Sequence, residues 1–73
     1  MEKASRYNPA EVKKIAEIMH WTPEIIVEKM NQLGTTVSTR TIENWLNGET
    51  APDADMLDVL AMAMGVGIER FYK

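Results

Sequence analysis

An all-α domain of five short helices is the fold class this sequence predicts, on three observations. Apolar residues recur three and four positions apart in successive segments, which is the helical period. These segments open on short polar residues or prolines and close on residues suited to stopping a helix. No stretch sustains the alternation of apolar and polar residues that a strand requires.

The elements follow in order. Residues 1–8 are polar and are expected to form a flexible N-terminal segment, leaving 9–73 as the domain. Asn8-Pro9 is a helix start, with Asn8 as N-cap and Pro9 in the first turn, where its missing N–H costs nothing. Val12, Ile15, Ala16, Ile18 and Met19 then make an apolar stripe, with Glu11, Lys13, Lys14 and Glu17 outside it, so helix one is expected over 9–20. His20, at its end, reads as a C-terminal cap or a partner of the helix dipole rather than a metal ligand. Trp21-Thr22-Pro23-Glu24 is a second start, with Thr22 as N-cap and Glu24 where the dipole favours an acid. Ile25, Ile26, Met30 and Leu33 follow, giving helix two over about 23–33, stopped by Gly34 in a left-handed conformation.

Thr35-Thr36-Val37 is a short connection in which Val37 is expected to plug the core. Ser38 caps helix three, 39–47, and Gly48 ends it. After the loop 48–52, Asp53 caps helix four, whose Met56, Leu57, Leu60, Ala61 and Met64 bury one face before Gly65 stops it. Val66 and Ile68 lead into a last short helix ending at Phe71-Tyr72-Lys73.

Composition excludes several functions. The 73 residues make one small domain. Cys is absent and His20 is the sole histidine, so neither a thiolate metal site nor a histidine-based catalytic dyad is expected. An enzyme is not expected, nor a cofactor, a metal or a small-molecule substrate, because catalysis needs a base, nucleophile or metal in a concave pocket. No apolar run approaches the roughly 20 residues of a membrane span. The polar start Met1-Glu2-Lys3-Ala4-Ser5-Arg6 leads into no hydrophobic signal core, so a cytoplasmic protein is expected.

Helix three carries the functional signal. Ile42, Trp45 and Leu46 fall on one side, and Arg40, Asn44 and Asn47 on the other. One face is an apolar anchor. The other presents short polar side chains and an arginine, the groups that read base edges in a DNA groove. Net charge is −3, which opposes nucleic-acid binding taken as a total. Its distribution softens the objection. Residues 1–40 carry six Lys/Arg against five Asp/Glu, whereas 41–73 carry two against six. Local charge governs phosphate contact more than the total does.

The run Val37-Ser38-Thr39-Arg40-Thr41-Ile42-Glu43-Asn44-Trp45-Leu46-Asn47-Gly48, continued by Pro52-Asp53, resembles the lambda-repressor/Cro-like (Xre-type) helix-turn-helix family. So do Trp21-Thr22 at the start of helix two and the closing Ala63-Met64-Gly65-Val66 with Ile68 and Phe71. The resemblance covers about residues 10–72. It departs from the family in two places. Pro23 stands where the family usually has a phosphate-touching glutamine, and Ser38 lies further beyond Thr22 than is usual.

The resemblance implies a five-helix lambda-repressor-like DNA-binding domain. Helices two and three form the helix-turn-helix, and helix three enters the major groove. On it, Thr39, Arg40 and Asn44 are the base readers, Arg40 toward guanine and Asn44 toward adenine. Glu43 joins that face, where it accepts from cytosine N4, pairs with Arg40 or repels phosphate. Ser38, Thr41 and Asn47 are placed for phosphates, and so is Thr22 with the first amides of helix two. Lys13 and Lys14 read as a solvated face that borders on phosphate contact at most, and Trp45 as core rather than a stacking platform. Met62 lies off the stripe of helix four. With Phe71 and Tyr72 it is expected to form an exposed apolar patch, a dimer interface for binding a palindromic operator. The implied function is a sequence-specific transcriptional regulator, a small repressor or phage-like control protein whose partner is double-stranded DNA. The competing reading is a protein-interaction or antitoxin-like module on the same fold, which the acidic balance, Pro23 and Glu43 favour.

Overall fold

Short polar side chains start three of the helices. In the computed structural model, which describes residues 7–72, the chain forms α1 (Pro9–Met19), α2 (Pro23–Gln32), α3 (Thr39–Asn47) and α4 (Ala54–Met64), then a one-turn 3-10 helix, Ile68–Phe71. Thr22 Oγ1 accepts the Ile25 N–H at 3.3 Å, Ser38 Oγ the Thr41 N–H at 3.1 Å, and Asp53 Oδ1 the Met56 N–H at 2.9 Å. Each satisfies an amide that the helix cannot, for about 1 kcal/mol. Asn8 differs from the expectation. It occupies the N-cap position of α1, but its side chain makes no capping bond. Pro9 has already removed one of the amides that would need it.

All four α-helices end with the same pair of backbone bonds. For α1, the Trp21 N–H reaches back to the Ala16 carbonyl and the His20 N–H to that of Glu17. The equivalent donors are Thr35 and Gly34 for α2, Glu49 and Gly48 for α3, and Val66 and Gly65 for α4. The geometry demands a left-handed residue. Three of the stops use glycine, and α1 uses His20 at φ 60°. His20 therefore caps through its backbone conformation, with an exposed side chain. A residue with a Cβ is strained there. His20→Gly is expected to raise stability by about 0.5–1 kcal/mol, since relief of strain exceeds the added freedom of the unfolded chain. Urea denaturation reads this directly, and a loss of stability would show that the imidazole contributes a contact of its own.

The apolar stripes meet in one core. Val12, Ile15 and Ala16 come from α1, Ile26 and Met30 from α2, Ile42 and Trp45 from α3, and Leu57, Leu60, Ala61 and Met64 from α4, with Phe71 closing it. Val37, half-buried, packs against this core as expected. No polar or charged residue is buried among the described residues.

Two stripe members fall outside. Ile18 is 67% exposed, because it lies about 110° around α1 from the centre of the face shared by Val12, Ile15, Ala16 and Met19. Leu33 is also exposed, because the helix ends at Gln32 and Leu33, at φ −93° and ψ 8°, has left the helical path.

The two described ends of the chain meet. Tyr7 and Tyr72 form an isolated antiparallel bridge, and the Asn8 N–H donates to the Phe71 carbonyl at 2.7 Å. Tyr7 and Asn8 are thus built into the fold, and the flexible segment expected over 1–8 does not include them. Residues 1–6 lie outside the described residues, as does Lys73. The pairing also explains why the last element is one 3-10 turn and not a fifth α-helix. Gly67 before it and Tyr72 after it are both extended, which leaves four residues between.

Candidate nucleic-acid interface

Burial of Ile42 and Trp45 fixes which side of α3 faces out. The helix rests on α1 and α2, and its opposite side leaves Arg40, Glu43 and Asn47 exposed. Thr39 and Asn44 flank them, half-buried. Arg40, Glu43, Asn44 and Asn47 fall within an arc of about 100° at the helical period. Arg40, Glu43 and Asn44 of the expected base-facing set are therefore brought to one surface with Asn47. Arg40 and Asn47 lie near its middle, and Glu43 and Asn44 at its edges.

Both ends of α3 are fastened. At the start, Ser38 Oγ and Thr41 Oγ1 lie 2.9 Å apart, and Ser38 also caps the helix. Much of the hydrogen-bonding capacity of these two hydroxyls is spent on the helix itself. Thr22, at the exposed start of α2, accepts from Ile25 and keeps its hydroxyl proton to donate. At the far end, Gly48 is at φ 80°, and a Cβ there would stand 3.2 Å from Pro9 Cγ. The left-handed conformation favours glycine, and a Cβ there would press on the Pro9 ring.

Tyr7 secures the same end of α3. Its phenol donates to the Trp45 carbonyl at 2.8 Å, across 38 residues of sequence. Burial raises the phenol above its ordinary range, so it remains a protonated donor. Tyr7 falls within the segment expected to be flexible, although an apolar residue directly before an N-cap is a known helix-entrance signal.

The charges are sparse. Residues 7–72 hold five Lys/Arg (Lys13, Lys14, Lys29, Arg40 and Arg70) against ten Asp/Glu. Lys29 sits 5.6 Å over the Trp21 ring, and Arg70 pairs with Glu11 at 2.9 Å. That pair is the only ion pair among the described residues, so Arg40 and Glu43 do not neutralise each other. Arg40 is left as the one cation on the outer face of α3, with Lys13 and Lys14 exposed on α1.

The expected interface patch needs correction. Met62 is exposed and Tyr72 half-buried, but Phe71 is 0% exposed and belongs to the core. Its ring is turned inward because the Tyr7–Tyr72 and Asn8–Phe71 backbone contacts draw this segment against α1. Among the described residues there is no cavity, no cluster of three or more His, Cys, Asp or Glu side chains suited to a metal, and no helix long and apolar enough to cross a membrane.

No family model matches the chain, and searches of curated proteins and of solved structures find no significant match.

Proposed function

We propose that this chain is a sequence-specific DNA-binding transcriptional regulator, a small repressor or phage-like control protein of the helix-turn-helix type. In this reading α2 and α3 are the two helices of the motif, and α3 lies in the major groove. The observation that carries it is the outer face of α3. Arg40, Glu43 and Asn47 are exposed there, opposite a side anchored by Ile42 and Trp45. Arg40 offers a bidentate fork to guanine O6 and N7, and Asn44 an amide to adenine N6 and N7. Thr39 and Glu43 complete the base-facing set. Thr22, Ser38, Thr41 and Asn47 serve the backbone, the hydroxyls of Ser38 and Thr41 only with the capacity their own pairing leaves. A homodimer on a palindromic operator remains part of the proposal, now with Met62 and Tyr72 and without Phe71. The protein is read as cytoplasmic and as having no catalytic activity.

The exposed Glu43 on this face, together with net charge −3, favours the second reading: a protein-interaction or antitoxin-like module. Selection on randomised duplex DNA at two salt concentrations separates the two. An enriched motif whose affinity falls with salt supports DNA binding, and the slope counts the phosphates engaged. A slope of only a few is expected, given three exposed cations on α1 and α3. Absence of enrichment, even at low salt, would transfer the assignment to the protein-interaction reading.

A further inference from the structure

Tyr7 stands outside every element that presents the outer face of α3, yet it touches that helix where the face ends. Three contacts converge there. The phenol donates to the Trp45 carbonyl, which also accepts the Gly48 N–H at 3.3 Å. Pro9, two residues on, packs its ring where a side chain on Gly48 would go. The Tyr7 backbone is itself held by Tyr72, and that of Asn8 by Phe71. The phenol is therefore not a loose tether. It sits on a strap whose other side is the closing turn of the chain, which Arg70 ties again to Glu11 of α1.

We propose that Tyr7 is a positioning residue for the C-terminal half of α3, acting through the Trp45 carbonyl to set where Asn44 and Asn47 lie. This rests on the DNA-binding reading for what those two side chains do, but not for the mechanical claim. The physical argument is one of position along the helix. The start of α3 is fastened by its own cap, Ser38 with Thr41, and needs no outside help. Its end, by contrast, relies on a left-handed glycine and a carbonyl that takes a long-range donor. Asn44 and Asn47 flank Trp45 on that half, whereas Arg40 lies on the capped half. Loss of the phenol should loosen one half of the reading face and leave the other in place.

The test uses Tyr7→Phe, which removes one oxygen and keeps the ring, so that folding is retained. Amide exchange is the first readout. Gly48 and Glu49 close α3, the helix whose Trp45 carbonyl takes the Tyr7 phenol, and Gly34 and Thr35 close α2 with the same pair of backbone bonds. In Tyr7→Phe the Gly48 and Glu49 amides are expected to exchange about three- to tenfold faster relative to Gly34 and Thr35, as loss of one hydrogen bond implies. Equal acceleration at both helix ends would overturn the proposal and leave Tyr7 a general contributor to stability. The second readout is binding to a duplex selected with the wild-type chain, in two double-mutant cycles. Tyr7→Phe with Asn47→Ala is expected to be non-additive by about threefold or more, and with Arg40→Ala additive. Additivity in both, or coupling to Arg40 alone, would sink it. A wild-type chain that selects no DNA would remove the DNA-binding reading, and the exchange comparison would still decide whether Tyr7 positions α3.

Discussion

Phe71→Ala is expected to cost about 3–5 kcal/mol of stability, the range for deleting a fully buried aromatic ring. Phe71 is 0% exposed and lies among residues from other elements of the core, while its carbonyl takes the Asn8 N–H. A domain of this size is stable by about 4–11 kcal/mol in all, so the substitution removes a large share of the total. Urea denaturation followed by circular dichroism at two protein concentrations makes the measurement. A large loss that does not depend on concentration is expected, since the ring is buried within one chain. If the variant instead kept its stability as a dilute monomer and lost association, Phe71 would belong to an interface.

Arg40→Ala is expected to weaken binding to a selected duplex by about 1–3 kcal/mol and to relax specificity at one base position. Arg40 is exposed, and among the described residues its guanidinium forms no ion pair, so the cost should appear in binding and not in folding. Competition against duplexes altered one position at a time distinguishes base reading from phosphate contact. Uniform weakening across sequences, with the salt slope reduced by about one, would move Arg40 to the backbone. Unchanged binding would remove it from the interface. The companion substitution Glu43→Gln is informative in the opposite direction. If Glu43 repels phosphate, neutralising it should tighten binding to every duplex alike. If it accepts from a cytosine, preference at one position should fall.

The local structure was legible because its causes are local. Thr22, Ser38 and Asp53 cap helices with oxygens only three residues from the amides they satisfy, and Gly34, Gly48 and Gly65 stop them. The two sides of α3 follow from its period alone, which places Arg40 and Asn47 at the surface and Ile42 and Trp45 in the core, as the structure has them. Ile18 shows how such reasoning fails. A generous stripe admits an apolar residue about 110° off the true face, and composition cannot tell an exposed isoleucine from a buried one.

Tyr7, Phe71 and Tyr72 mark the boundary between the two kinds of information. From sequence, residues near both ends read as a flexible segment and an exposed patch, because each lies beside polar neighbours and outside any sustained period. Folding brings Tyr7 against Tyr72, sends Phe71 inward and carries the Tyr7 phenol to the carbonyl of Trp45. By itself the sequence determined the four α-helices, the side-chain caps of three of them, their glycine stops and the exposed face of α3, since hydrogen bonding and periodicity act within a few residues. Only the tertiary structure decided how the chain's ends close and what holds the far end of α3. Those contacts join residues 38 to 65 positions apart, and their formation depends on every element between them being in place.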